Sequence, residues 1–368
     1  MYHEEFMAAA LELAAKGVGF VNPNPMVGAV IVKNGEIIGQ GYHQKCGELH
    51  AERNAFADCD SRGVDCTGAD MYVTLEPGCH YGRTPPCTEA IIEHKISRVF
   101  IGSSDPNPLV AGKGANILRE NGIEVTEGVL KDECDILNEI FFHYITKRTP
   151  FVTMKYAMTM DGKIACYTGK SKWITGEAAR ENVHHDRLKH MAIMVGVGTV
   201  LADDPMLTCR IEGGRDPIRI VCDTNLRTPL DSNIVRTAKE IPTIIACSKG
   251  DTSAYEAVGC QIVRVPEKEG HADLNALMDI LGREFKIDSI LLEGGSELNW
   301  SALRSGIVSK VQTYIAPKIF GGKSALTAVS GIGSAVPDEC VKLYDTQIKT
   351  IGEDILIESR VKNVHGNN

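Results

Sequence analysis

The chain has 368 residues, 43% of them hydrophobic and 24% charged, with a net charge of −9 and twelve cysteines. No stretch approaches the ~18 consecutive apolar residues of a membrane span, and the acidic start Met1-Tyr2-His3-Glu4-Glu5 lacks the basic and apolar regions of a secretory signal. These values exclude a disordered chain and a disulfide-stapled secreted scaffold, argue against a large nucleic-acid footprint, and leave a cytoplasmic protein with reduced thiols and room for two domains at about 100–200 residues each.

The first predicted element is a helix. Phe6, Ala10 and Leu13 recur at helical spacing, as do Met7, Leu11 and Ala14, and Gly17 supplies a stop. Two apolar runs then flank Asn34-Gly35 between Gly28 and Gly39. That pair is a hairpin signal, because a type I′ turn needs positive φ at both central residues. A helix follows near His50, strands at 69–75 and 98–102, a helix at 88–94 between them, and a helical pattern from Ile136 to Tyr144. Alternating strands and helices predict an α/β layer fold.

A boundary is expected at Lys147-Arg148-Thr149-Pro150, giving domains 1–147 and 148–368. Beyond it, strands are expected at 151–155, 192–196, 218–222, 243–247 and 289–292. Leu274, Leu277, Met278, Leu281 and Phe285 form one face of a helix. The second half is therefore a second α/β domain. The chain has no internal repeat and no low-complexity segment.

Chemistry enters at His50-Ala51-Glu52 and at Glu76-Pro77-Gly78-Cys79-His80-Tyr81-Gly82-Arg83-Thr84-Pro85-Pro86-Cys87. A zinc deaminase carries His-x-Glu and a later Pro-Cys-x-x-Cys. One imidazole and two thiolates hold Zn2+ and leave a position for water, whose pKa the metal lowers. The Glu is no ligand; it carries a proton from water to the ring and on to the departing ammonia. Cys46, Cys59, Cys66 and the cysteines of the second half have no such company and read as small buried hydrophobes.

Asn22-Pro23-Asn24-Pro25-Met26-Val27-Gly28, His50-Ala51-Glu52, Leu75-Glu76-Pro77, His80 through Cys87 and Asp105 through Gly114 together resemble the deaminase domain of the bifunctional riboflavin-biosynthesis deaminase–reductase family. The resemblance runs over nearly the whole chain. It implies a cytidine-deaminase-like α/β/α domain followed by a dihydrofolate-reductase-like α/β domain, with Zn2+ and NADPH as cofactors. One residue departs from the pattern. The family has its first zinc cysteine directly after Leu-Glu-Pro, where this chain has Gly78. Either Cys79 takes over as ligand, or the protein offers only His50 and Cys87. The resemblance further implies that Asn24 and His43 contact the pyrimidine, and that His80 and Arg83 lie near the substrate, where a guanidinium suits a phosphate.

In the second half, Val195 through Val200 is not a dinucleotide fingerprint, since the third glycine is replaced by Leu201, and Gly322-Lys323-Ser324 lacks the earlier glycine of a P-loop, with Pro317 in its place. Leu291-Leu292-Glu293-Gly294-Gly295-Ser296 reads as a strand entering a glycine-rich turn before a helix. That arrangement suits phosphate, and equally a packing turn. With Lys155-Tyr156-Ala157, Asp161-Gly162-Lys163, Ser171-Lys172-Trp173-Ile174-Thr175, Ala202-Asp203-Asp204-Pro205 and Leu207-Thr208-Cys209-Arg210, it resembles the family's reductase domain. The resemblance implies NADPH contacts at Ala157, Trp173, Thr199, Asp203, Thr224 and at Gly295, Ser296, Glu297, Leu298, Asn299, Trp300 and Ser301. It implies substrate contacts at Ser171, Arg187, Leu207, Arg210 and Glu293. Lys155 and Glu293 are the candidates for polarising or protonating the sugar.

The sequence therefore predicts an enzyme acting in two steps on phosphoribosyl pyrimidines, as a homo-oligomer with no nucleic-acid or membrane partner. The rival readings are a reductase whose deaminase domain is impaired by Gly78, a nucleic-acid editing deaminase, and a zinc-binding interaction module without activity. The last would not need Glu52 beside an open metal position.

Overall fold

The computed structural model describes residues 2–81, 85–107 and 110–362, and the chain divides after Arg148 into two units. Among the described residues no helix is long and apolar enough to cross a membrane.

The first unit is built on strands β1 (Gly28–Lys33), β2 (Glu36–Tyr42), β3 (Asp70–Leu75), β4 (Arg98–Ser103) and β5 (Glu124–Glu127), in the sheet order β2-β1-β3-β4-β5. β1 is antiparallel to β2 and β3, while β3, β4 and β5 run parallel. The β1–β2 turn has φ of 55° at Asn34 and 85° at Gly35, as the Asn-Gly signal requires. The helices are α1 (Tyr2–Ala15), α2 (Ala51–Ser61), α3 (Cys87–Glu93), α4 (Lys113–Glu120), α5 (Lys131–Leu137) and α6 (Glu139–Lys147).

Alternation along β1 sorts the layers. Ala29 and Ile31 pack with Ala55, Phe56 and Ile91 of α2 and α3. Val30 and Val32 pack with Phe6, Met7 and Ala10 of α1. Successive side chains of a strand face opposite ways, so helices cover both faces. Close approach is made possible by glycine: a Cβ on Gly28 would lie 2.0 Å from the Ala10 carbonyl oxygen, and one on Gly41 would lie 2.3 Å from Ala55 N. The helical pattern expected over 136–144 is interrupted at Asn138. Its side chain accepts from Met26 N and donates to Met26 O, both at 2.9 Å, and so pins the segment that carries Asn24.

The second unit contains β6 (Phe151–Thr159), β7 (Ala192–Gly196), β8 (Ile218–Cys222), β9 (Thr243–Cys247), β10 (Gln261–Arg264), the small hairpin β11 (Glu267–Lys268) and β12 (His271–Ala272), then β13 (Ser289–Leu292), β14 (Val308–Ala316), β15 (Leu343–Ile351) and β16 (Asp354–Val361). The main sheet has the order β10-β9-β8-β7-β13-β6-β14-β16-β15. It is parallel up to β14, where β16 and β15 add an antiparallel edge. Its helices are α7 (Glu177–Lys189), α8 (Val197–Asp203), α9 (Asn233–Arg236), α10 (Ser253–Ala257), α11 (Leu274–Arg283) and α12 (Ser296–Arg304). Along β7, Ala192 and Met194 enter one core with Leu277 and Leu281 of α11, while Ile193 and Val195 enter another with Val200 and Ile234. The side chain of Asp273 accepts from Asn275 N and Ala276 N, the N-cap arrangement that starts α11 where the apolar periodicity begins.

Candidate active sites

In the first unit, three elements bring their ends together. His50 precedes α2, Glu52 is in its first turn, and Cys87 opens α3. His50 Nδ1 is 3.3 Å from Cys87 Sγ, and one ligand atom each from His50, Glu52 and Cys87 lie within 4.8 Å of one another. Glu52 and Cys87 are buried. Two donors of one tetrahedral zinc ion sit roughly 3.5 Å apart by its bond lengths, so His50 and Cys87 fit such an ion in type and spacing. Burial, followed by the charge of Glu52, pushes the Cys87 thiol well above its ordinary value. A thiolate there calls for a cation beside it.

Cys79 does not join this group. Among the described residues only His50, Glu52 and Cys87 cluster. Burial, then the charge of Glu76, raises the Cys79 thiol, with Lys113 acting the other way and Asp105 nearby. Its surroundings are thus the Glu76–Lys113 side of the loop. The reason lies one residue earlier. The Gly78 carbonyl accepts the N–H groups of Cys87 (2.9 Å) and Thr88 (3.3 Å), so it is residue 78 whose backbone abuts α3. Cys79 as the third metal ligand stays an expectation from the sequence, and the His50–Glu52–Cys87 cluster does not include it.

Asn24 and His43 do come to the group. His43 is buried, and its ring lies edge-on to His50 with centroids 5.5 Å apart. Its Nδ1 donates to the Leu49 carbonyl at 3.0 Å, which leaves Nε2 to accept from Asn24 Nδ2 at 3.2 Å. Burial lowers the His43 pKa, so the ring is neutral at pH 7 and this polarity is kept. His80 is exposed, while its charge acts on Asp105. Arg83 lies outside the described residues.

Two supporting residues were given no role by the sequence. Arg53 donates from Nη2 to the Pro86 carbonyl at 3.0 Å, directly before Cys87. The buried Glu76 carboxylate accepts backbone N–H groups from Asp105 (3.3 Å) and Gly112 (3.0 Å) on one oxygen, and from Gly114 (3.0 Å) and Ala115 (3.3 Å) on the other. A carboxylate in that place caps the positive end of α4.

In the second unit, Glu293 follows β13 and stands between two cations. Its Oε1 accepts from Arg187 Nε at 2.8 Å and its Oε2 from Lys155 Nζ at 3.2 Å. All three side chains are largely buried. Burial alone would raise the Glu293 pKa, but Arg187 and Lys155 outweigh it and hold the carboxyl well below the ordinary range. Arg187 also donates to the Thr208 carbonyl at 3.0 Å, which draws in the segment of Leu207. Leu207 is buried, with φ of 55°. Arg210 is exposed, and its charge falls on His184 beside Arg187.

Trp173 is 61% exposed, unusual for so large an apolar ring. The Arg180 guanidinium lies 4.8 Å from its ring centre and donates to the Thr175 carbonyl at 2.8 Å. Lys318 donates to the carbonyls of Trp173 (3.2 Å) and Ile174 (2.6 Å). Lys172 pairs with Asp203 at 3.8 Å, which ties the Ser171–Thr175 segment to α8. Ala157 is half-buried on β6. Thr199 Oγ1 would lie 3.9 Å from a Cβ on Gly295, so these two share one place. Thr224 is committed to the fold, its hydroxyl accepting Ala272 N at 2.9 Å.

The run 295–301 does not act as one surface, because α12 rotates each residue about 100° from the last. Glu297 is exposed. Ser296 and Asn299 are buried, and Asn299 donates to the Ala328 carbonyl at 2.9 Å. Leu298 packs on the core, and Trp300 would meet a Cβ on Gly331 at 2.1 Å. The side chains of Leu298, Asn299 and Trp300 are therefore engaged with protein, and the cofactor contacts expected along residues 295–301 stay an expectation.

Family models match both units. That of the cytidine and deoxycytidylate deaminase zinc-binding region covers residues 1–103, and that of the RibD C-terminal domain covers residues 150–357. The riboflavin biosynthesis protein RibD of Actinobacillus pleuropneumoniae is 56% identical over 357 residues, 96% of this chain and 94% of the relative. That of Escherichia coli is 38% identical, over 97% and 99%. Among solved structures, Acinetobacter baumannii RibD is similar with a TM-score of 0.87 at 33% identity, covering 98% of this chain and 99% of its own. A diaminohydroxyphosphoribosylaminopyrimidine deaminase/5-amino-6-(5-phosphoribosylamino)uracil reductase from Thermotoga maritima is similar with a TM-score of 0.85 at 38% identity and the same coverage. The first unit is a zinc-binding deaminase domain, and the second is a reductase domain that implies a nicotinamide cofactor. The chain belongs to the RibD family of riboflavin biosynthesis and is a bifunctional deaminase and reductase.

Proposed function

We propose that the first unit deaminates 2,5-diamino-6-(5-phospho-ribosylamino)pyrimidin-4-one and that the second reduces the ribosyl side chain of the product to ribityl with NADPH. The observation that carries this reading is that each unit owns a buried reactive group: His50, Glu52 and Cys87 in one, and Lys155, Glu293 and Arg187 in the other.

In the deaminase, Zn2+ bound by His50 and Cys87 would lower the pKa of water so that hydroxide is present at neutral pH. Glu52 carries the proton from that water to the ring nitrogen and then to the departing amine. Asn24 and His43 hold the pyrimidine edge. His43 is fixed by Leu49 with Nε2 as acceptor, so the pair offers one donor–acceptor face rather than a mobile one. His80 and Arg83 serve the ribose phosphate.

In the reductase, the nicotinamide supplies hydride to C1′ when bound. The protein's part is to open the sugar and give its oxygen a proton. Glu293, held ionised, cannot be that donor. Lys155, paired with Glu293 Oε2 at 3.2 Å, is the acid, while Glu293 orients Lys155 and Arg187 and accepts a sugar hydroxyl. Arg187 and Arg210 face the substrate phosphate, and Trp173 with Asp203 and Thr199 faces the cofactor.

The test assays the half-reactions separately. Lys155→Ala should abolish reduction and spare deamination, and Glu52→Gln should do the reverse. Near-normal reduction by both Lys155→Ala and Glu293→Gln at saturating substrate would remove the reductase assignment.

A further inference from the structure

Lys155 ends in an ammonium on a flexible four-carbon stem, so its place in the site depends on what grips it. Glu293 grips it on one side, Nζ to Oε2 at 3.2 Å. An aromatic ring also reaches it. Lys155 Nζ lies 5.9 Å from the centre of the Tyr314 ring, within the range of a cation–π contact. The sheet makes this meeting. β14 runs parallel to β6 with Gln312 opposite Lys155 and Tyr314 opposite Ala157, and alternation puts these four residues on one face. Ala157 packs against the cluster of Tyr314 with Ala179 and Val183, so α7 covers that face.

Tyr314 is 1% exposed, and phenylalanine would fill the same space. The hydroxyl has a separate use. It accepts from Asn182 Nδ2 at 2.6 Å and donates to Asp186 Oδ2 at 3.4 Å, and both partners belong to α7. Burial raises the Asp186 carboxyl above its ordinary value, against the Gln312 hydrogen bond and the charges of Lys189 and Lys155. The next residue, Arg187, donates from Nε to Glu293 Oε1 at 2.8 Å. Successive helix positions differ by about 100°, so these neighbours on α7 reach Lys155 by two routes. Asp186 does so through the Tyr314 ring, and Arg187 through Glu293.

We propose that Tyr314 is a positioning residue of the reductase: its ring, tied to α7 through Asn182 and Asp186, fixes the Lys155 ammonium against Glu293 for proton transfer to the sugar. One contact lets a lysine head pivot, and the second removes that freedom. Tyr314 is buried, so its loss is felt through Lys155, in turnover rather than in substrate binding. The inference rests on the reading of Lys155 as the acid.

The test measures reductase kcat and both KM values on the full-length protein. Tyr314→Leu should lower kcat by up to about 10²-fold, the cost of misplacing a reacting group by roughly 1 Å, with the KM for NADPH, the KM for the pyrimidine and the deaminase turnover unchanged. Tyr314→Phe keeps the ring and frees it from α7. It should lose only about 2–10-fold, the worth of one hydrogen bond, and so restore most of what Tyr314→Leu loses. Asn182→Ala should lose as much as Tyr314→Phe and nothing more when combined with it. In a Lys155→Ala background, Tyr314→Leu should cost no further kcat, because the group it positions is gone.

The proposal is overturned if Tyr314→Leu raises KM at unchanged kcat, or if it lowers kcat as much without Lys155 as with it. Parent kcat in both Tyr314→Phe and Asn182→Ala overturns it too, and decides the matter should Tyr314→Leu fail to fold. If Lys155→Ala itself reduces the substrate at a near-normal rate, the failure lies with Lys155 as the acid, and the proposal falls with it.

Discussion

Arg187 Nε meets Glu293 Oε1 at 2.8 Å in a largely buried setting, and this contact fixes how the reductase unit can use its acidic residue. A carboxylate gripped there, and by Lys155 on its other oxygen, orients cations rather than donating a proton. Lys155→Ala should lower reductase kcat by roughly 10²–10⁴-fold, the range of a lost general acid, with deaminase turnover unchanged. Glu293→Gln should cost about 3–5 kcal/mol of the second unit's stability, because two buried cations lose their counter-charge. Thermal unfolding followed by tryptophan fluorescence checks this, since Trp173 and Trp300, the two tryptophans of the chain, are both in that unit.

The same pair sets an acid limit. Arg187 and Lys155 hold the folded-state Glu293 carboxyl well below its ordinary value, against the effect of burial. The stabilisation this supplies is whole above the unfolded carboxyl pKa of roughly 4.3. It drains away as pH falls from there toward the folded value. The gap in unfolding temperature between the parent and Glu293→Gln should be constant from pH 6 to 8, on the order of two units above that point, and narrow below about pH 4. A gap that widens in acid would contradict the assignment.

Glu52 sits beside the metal pair yet is proposed to carry protons. Glu52→Gln should reduce deamination by roughly 10²–10⁴-fold, leave reductase turnover untouched and leave metal content per chain as it was. A parallel fall in metal content would make Glu52 a ligand instead.

Most of this architecture was legible because it follows from short-range chemistry. Asn34-Gly35 fixed a hairpin, and the apolar periodicity of 274–285 fixed a helix capped by Asp273. The β15–β16 edge was not legible. β15 is exposed along nearly its whole length, so Leu343–Ile351 carries no inward alternation to read. The two-part helix at Asn138 was hidden because its cause, Met26, is 112 residues away. His50, Glu52 and Cys87 were readable because metal chemistry restricts residue type as well as spacing. Arg53, Glu76 and Arg180 were not, since each acts on backbone or on a ring brought close only by folding. Cys340 is exposed, contrary to the expectation of buried thiols throughout the second half.

Arg180 under Trp173 gives a prediction about the cofactor. An exposed cation–π contact is worth about 0.5–1 kcal/mol, so Arg180→Leu should raise the KM for NADPH roughly 2–5-fold. The KM for the pyrimidine and the deaminase turnover should not move. A lowered unfolding temperature with an unchanged cofactor KM would leave Arg180 as a fold contact only.

Glu76 places one carboxylate against four backbone N–H groups, those of Asp105, Gly112, Gly114 and Ala115. It stands two residues before Gly78, where β3 gives way to the loop of the deaminase site. Glutamine in its place has one accepting oxygen, and its own amide hydrogens would face the N–H groups left over. Each buried donor without an acceptor costs about 1–3 kcal/mol, so Glu76→Gln, which strands two, should destabilise the first unit by roughly 2–6 kcal/mol. Hydrogen exchange should quicken at Gly112, Gly114 and Ala115 before it does in β1 and β3. Because both tryptophans lie in the second unit, the fluorescence transition should stay where it is. Unchanged protection at those three amides would show that the carboxylate is not what holds the start of α4 against the site.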